Sequence, residues 1–181
     1  MIIIVANIEV ELRSFITKEQ HGKLLDFFRK NARLVKEDFQ ETYYFDAEED
    51  LRIQRSKFFS KIWMKKGMIH DEAREEIEIK FDREDFESLE RLFLNLGYNV
   101  QIKWFRERKQ FDWNGIKACL DDTKGYGLII ELEKICSDSE KEAALGLLKQ
   151  KFGELGVEIT PREIFEEKFK NYRENWRTLT S

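Results

Sequence analysis

Apolar and charged residues alternate one by one in several separate segments of this chain, and that two-residue period constrains the fold more than any other feature. Successive side chains of an extended strand point to opposite faces, so each such segment has one apolar and one charged side. In the first, Glu9, Glu11 and Arg13 share a face while Ile8, Val10 and Leu12 share the other. Further on, Arg74, Glu76, Glu78 and Lys80 lie opposite Ala73, Ile77 and Ile79, with Glu75 breaking the pattern. Glu131 and Glu133 oppose Ile130 and Leu132, and Arg106 and Arg108 share a face. For one strand taken alone, a charged face is ordinarily a solvated one. Recurrence in many strands, with both signs mixed, opens a second arrangement: the apolar faces turn outward beneath helices and the charged faces line an interior. Patterning alone admits both.

The period predicts eight strands, near residues 2–13, 40–46, 50–57, 59–65, 73–81, 98–108, 113–121 and 127–135. Four helices are predicted between and after them. Thr17 is placed to cap the first, running to about residue 34, and Asp82 the second, ended by Gly97. Ser137 or Asp138 opens the third, to about residue 155, and Pro161 sits at the start of the fourth. Eight antiparallel strands suffice to close a small barrel. The predicted fold class is therefore α+β, a closed eight-stranded antiparallel β-barrel (a tunnel) with helices packed outside. With a single proline and no Gly/Ser-rich linker, one domain over residues 1–181 is expected.

Composition limits the partners. Charged residues make up 38% of the chain, yet 32 basic against 36 acidic side chains leave a net charge of −4. A nucleic-acid binder with a broadly basic surface is excluded, whereas a small polyanion in a local basic pocket is not. The opening apolar run is too short to span a bilayer, no membrane partner is expected, and Cys119 and Cys136 fit a reducing, cytoplasmic setting. His21 and His70 are too few and too far apart for a zinc site. Trp63, Trp104, Trp113 and Trp176 are expected to be packing residues. Converging carboxylates repel one another unless divalent cations lie between them, and all-oxygen sites suit Mg²⁺ or Mn²⁺. Arginine and lysine beside them bind phosphate oxygens. A lumen of this kind suits a metal–polyphosphate complex.

These residues resemble the CYTH superfamily, the triphosphate tunnel metalloenzymes. Glu9-Val10-Glu11-Leu12-Arg13 matches the family's opening Glu-x-Glu-x-Lys with arginine for lysine. A more specific match follows Asp121: a hairpin with Gly125 and Gly127 runs into Glu131-Leu132-Glu133, in the family's spacing. Arg74-x-Glu76-x-Glu78 is similar to its central strand, Arg106-x-Arg108-x-x-Phe111 to a later basic strand, and Leu51-Arg52 and Lys65-Lys66-Gly67 to two short segments. The similarity covers about residues 7–133, and Asn171-Tyr172 in the helical tail resembles a recurring tyrosine position. Two departures stand out: Arg13 itself, and Gln54 where a second arginine is usual unless Arg55 substitutes.

The resemblance implies an enzyme that hydrolyses a triphosphate, inorganic or carried by a nucleoside or thiamine, with Mg²⁺ or Mn²⁺. Catalytic roles fall to Glu9, Glu11, Glu131 and Glu133, and metal binding to these four with Asp121. Substrate binding falls to Arg13, Arg52, Lys65, Arg106 and Arg108, then Arg74 and Lys80. Glu78 is expected to ion-pair with these cations. Two alternatives stay open: cyclisation of ATP to cyclic AMP and pyrophosphate, as in class IV adenylyl cyclases, and a non-catalytic polyphosphate or nucleotide binder. Either a monomer or a homodimer is compatible.

Overall fold

The structure is a computed structural model, and it describes residues 8–66, 73–74 and 76–181, with only the backbone at 73–74. The start of the first expected strand, His70, Gly67 and the Arg74 side chain lie outside the described residues. Among the described residues, nine strands and four helices follow in the order β1 (Ile8–Ile16), α1 (Lys18–Asn31), β2 (Arg33–Phe45), β3 (Asp50–Arg55), β4 (Ser60–Lys65), β5 (Ala73–Arg74), β6 (Glu76–Phe81), α2 (Phe86–Asn95), β7 (Val100–Trp113), β8 (Ile116–Thr123), β9 (Gly127–Cys136), α3 (Lys141–Glu154) and α4 (Arg162–Leu179).

All strands belong to one sheet ordered β5-β1-β9-β8-β7-β2-β3-β4-β6, and every pairing is antiparallel. The fifth expected strand appears as β5 and β6, with residue 75 between them. The first pairs with β1 and the second with β4, at opposite ends of the strand order. Among the described residues the ladders form one antiparallel sheet, and its two end strands, β5 and β6, are neighbours in the chain.

Two boundaries differ from expectation. The first helix stops at Asn31 and β2 starts at Arg33, because Ala32 is already extended and β2 pairs with β7 along nearly its whole length. Likewise β7 continues to Trp113, which was expected to open the next strand. The reversal falls on Asn114 and Gly115, with φ of 53° and 78°. Both residues are left-handed, as a two-residue hairpin turn requires, and Trp113 pairs with Ile116 across it.

Helix starts follow the capping chemistry. Thr17 accepts from the Gln20 amide while the Gln20 side chain accepts from the Thr17 amide, a reciprocal cap. Ser137 and Glu140 form a similar pair, opening a 3₁₀ turn ahead of α3. Asp82 precedes a 3₁₀ turn over Arg83–Asp85, but its side chain makes no capping bond.

The helices cover the apolar faces of most strands, whereas Ile77 and Ile79 of β6 stay exposed. Val10, Leu12, Ala118, Leu120, Ile130 and Leu132 of β1, β8 and β9 pack with Leu24 and Phe28 of α1 and Ala144, Leu148 and Phe152 of α3. Tyr43, Phe45 and Ile53 pack beneath Phe86, Leu89 and Phe93 of α2. Because neighbours on a strand alternate, burying these faces under helices forces the charged residues to the opposite side. Helix α4 takes a different position. Its Phe165, Tyr172 and Trp176 pack on Ile102, Trp104, Tyr126 and Ile129, and Phe165 borders the charged interior.

Candidate active site

On the concave side of the sheet lies a cavity of about 210 Å³, lined by side chains from β1, β2, β3, β4, β6, β7, β8, β9 and α4. It brings together almost all the residues singled out by the alternation. Glu9, Glu11, Arg13, Arg52, Lys65, Arg106, Arg108, Asp121, Glu131 and Glu133 all line it. Lys80 does not: it points to the exposed margin, 3.5 Å from Glu78 and over the Phe59 ring. The inward arrangement is thus the one adopted, and the solvated-face alternative fails for these strands.

Strand register sets the electrostatics. Glu11 lies directly opposite Glu133 across β1 and β9, and Arg13 opposite Glu131. Two like charges facing each other on adjacent strands are unfavourable unless cations intervene. Carboxylate oxygens of Glu9, Glu11 and Glu133 all come within 4.8 Å of one another. Burial, the hydrogen bond to Glu133 and that residue's charge push the Glu9 carboxyl up to about 7, against Lys65 and Lys117. Glu9 is thus drawn toward its protonated form, while Lys65 and Lys117 offset the carboxylates from either side. The three oxygen donors fit Mg²⁺ or Mn²⁺ by ligand type.

The other two expected ligands are engaged differently. Asp121 accepts from Arg108 Nε and Nη2 at 2.7 and 2.6 Å, and from Arg106 Nη1 at 3.2 Å. Glu131 accepts from Arg108 Nη2 at 2.9 Å. Burial disfavours the charge on Glu131, but Arg108, Arg106 and Lys117 outweigh it and hold the carboxyl well below the usual range. These two carboxylates fix arginines and stand apart from the three-carboxylate cluster.

Among the basic groups, Lys65 bridges to Glu76 at 2.9 Å and reaches Glu9 at 4.0 Å. Arg52 is clamped by Asp50 and stacks over Tyr44, 4.2 Å from the ring centre. Arg13 lies 3.9 Å from Glu11 and over the Phe165 ring. Glu78 binds Lys61 at 2.5 Å, which agrees with the ion-pairing role expected of it. Gln54 donates to Thr42 Oγ1 at 2.9 Å, and Arg55 does not replace the missing arginine. It faces the other way, bonded to Glu41 and Glu87.

Two cations in the cavity were not anticipated, Lys61 and Lys117. Lys117 binds Glu133, which lies opposite it in register, and this contact overcomes burial to raise the lysine's pKa. The sequence does carry a signal for each: Lys117 has the parity of Asp121 on β8, and Lys61 that of Lys65 on β4. Neither thiol lines the cavity. Cys119 is fully buried and burial pushes it up to about 12, so it is inert as a nucleophile. Among the described residues, no helix is long and apolar enough to cross a membrane.

A sheet with its apolar face under helices and a mixed-charge pocket around clustered carboxylates forms a class of site whose donor types suit a cation together with a polyanion. The comparisons agree with this class: residues 7–160 match the CYTH domain family, and the chain belongs to it. A Methanocaldococcus jannaschii protein named "Putative adenylate cyclase" is 33% identical over 150 residues, covering 76% of this chain and 83% of that protein. A conserved hypothetical protein from Pyrococcus furiosus superposes with a TM-score of 0.74 at 26% identity, covering 85% of this chain and 96% of the other. A Hippeastrum structure, described as a "putative adenylyl cyclase" that "reveals a dominant triphosphatase activity", gives 0.65 at 19% identity. It covers 91% of this chain and 96% of that one, a likeness of fold.

Proposed function

We propose that this protein is a divalent-metal-dependent triphosphatase acting in a closed tunnel. The observation that carries the reading is one cavity holding the Glu9–Glu11–Glu133 cluster beside arginines and lysines from surrounding strands. Closure is supported by the pairing of β5 with β1 and β6 with β4, since a single residue separates β5 from β6. One domain over residues 1–181, in the cytoplasm, accords with the two free thiols and with α4 packing on the sheet.

Charge balance explains the need for metal. Among the described residues the cavity is lined by seven basic and seven acidic side chains, so their formal charges nearly cancel and give a triphosphate little net attraction. Glu9, Glu11 and Glu133 would hold the ion, which when bound neutralises phosphate charge and acidifies a water. The remaining roles belong to the chain. Arg13, Arg52, Lys65 and Arg106 neutralise and orient the phosphates, and Asp121 and Glu131 hold Arg108 in place. Aromatic rings from α4 and the sheet border the cavity and exclude water from one side.

Cyclisation of ATP is the second reading, favoured by the name of the M. jannaschii relative. One experiment separates the two. The protein is incubated with tripolyphosphate, ATP, GTP or thiamine triphosphate, with Mg²⁺ or Mn²⁺, and the products are resolved by chromatography. Phosphate release that requires metal supports hydrolysis, and cyclic AMP with pyrophosphate supports cyclisation. Binding without turnover under every condition would reduce the protein to a polyphosphate binder.

A further inference from the structure

Arg106 and Arg108 are two residues apart on β7 and face the same cavity, yet they are held by different chemistry. Arg108 spends its donors on two carboxylates, Asp121 and Glu131, which cancel its charge locally. Arg106 is held chiefly by an amide. Gln40 Oε1, on β2, accepts from Arg106 Nε at 3.0 Å and from Nη2 at 2.5 Å. Its remaining contact is the longer one to Asp121, a carboxylate already shared with Arg108. The clamp orients the guanidinium along one edge without adding a negative charge, so Arg106 is offset only by the Asp121 carboxylate that it shares with Arg108.

The Gln40 amide is itself fixed. Gln40 is 5% exposed, and its Nε2 donates to Asp38 Oδ2 at 3.1 Å. Asp38 Oδ1 in turn accepts the Lys57 backbone N–H at 2.9 Å, and Lys36 lies 4.0 Å from Oδ2. A flipped amide would set its oxygen against the Asp38 carboxylate and its NH₂ group against the guanidinium, two repulsive contacts, so only one orientation is tolerated.

We infer that Gln40 is a positioning residue for triphosphate binding, a neutral clamp that aims Arg106 into the cavity without neutralising it, with Asp38 as its anchor. This rests on the triphosphate reading above. A carboxylate at position 40 would keep an acceptor for Arg106 and cancel its charge, at the cost of repulsion from Asp38, whereas an isosteric thioether would keep the charge and release the geometry.

The test uses the full chain with Mn²⁺ and tripolyphosphate, comparing wild type, Gln40→Glu, Gln40→Met, Arg106→Ala and the Gln40→Glu/Arg106→Ala double variant. KM, kcat and the rise in melting temperature caused by tripolyphosphate are measured for each. The expected result is a KM raised about tenfold or more in Gln40→Glu, with kcat within about threefold of wild type. Adding Arg106→Ala to it should change KM by less than about threefold, because one interaction cannot be lost twice. Gln40→Met keeps the test valid if the glutamate variant does not fold, and a raised KM is expected there too. Wild-type KM in a folded Gln40 variant, or effects of Gln40→Glu and Arg106→Ala that multiply, would overturn the inference alone. A wild-type protein that neither turns over tripolyphosphate nor is stabilised by it would overturn the triphosphate reading together with it.

Discussion

Glu11 and Glu133 face each other on adjacent strands, with Glu9 close enough to share a proton with Glu133. Removing one carboxylate should weaken cation binding more than it disturbs the sheet. Glu133→Ala is therefore expected to lose at least about 100-fold in metal-dependent turnover while its far-ultraviolet circular dichroism stays native. The shared proton sets a pH dependence. An unfolded chain releases the Glu9 proton near 4.5, whereas the folded protein keeps it to about 7. In the metal-free protein its contribution to stability is full below pH 4.5 and is lost as pH rises through that window. On the proposed reading a divalent cation bound at Glu9 displaces this proton, so Mn²⁺ should raise the melting temperature more at pH 8 than at pH 5. Equal shifts at the two pH values would remove Glu9 from the cation site. The sequence places Glu9, Glu11, Glu131, Glu133 and Asp121 in one expected ligand set, whereas the structure clusters Glu9, Glu11 and Glu133 and sets Asp121 and Glu131 against arginines. That division depends on which carboxylates the two β7 arginines reach, a matter of a few ångströms that spacing along the chain does not encode.

At the level of elements, α4 is fastened to the sheet at several points. Tyr172 Oη donates to the Lys103 carbonyl, Trp176 Nε1 to the Gln101 carbonyl, and Lys124 Nζ to the Thr180 carbonyl. Gly125, in the β8–β9 turn, has a φ of +73°, and a Cβ there would meet the Leu179 carbonyl oxygen at 2.5 Å. Gly125→Ala therefore combines backbone strain with a clash against the end of α4. It should destabilise the protein by about 1–3 kcal/mol and speed amide exchange in the last turns of that helix. Phe152 of α3 is 1% exposed in the core on the outer face of the sheet. Its replacement by alanine should cost about 3–5 kcal/mol in denaturant unfolding while leaving the order of substrate preference unchanged. Element types were legible because periods of two and 3.6 differ plainly. Two boundaries were not: the end of α1 and the β7–β8 turn were set by pairing between β2 and β7 and by the left-handed Asn114-Gly115 corner.

For the molecule as a whole, equal numbers of acidic and basic side chains line the cavity among the described residues. A triphosphate gains little from such a pocket until a cation is added. Titration calorimetry should accordingly show tripolyphosphate binding that tightens at least about tenfold on adding Mn²⁺, and equal affinity without metal would contradict the balance. The sequence by itself determined the strands, the four helices and the sharing of faces by charged residues, because side-chain direction follows from local backbone geometry. Only the tertiary structure decided that these faces converge, which carboxylates meet one another and which meet arginines, and that Lys61, Lys117 and Gln40 join them. Those outcomes depend on strand order and register, which arise from contacts between segments far apart in the chain.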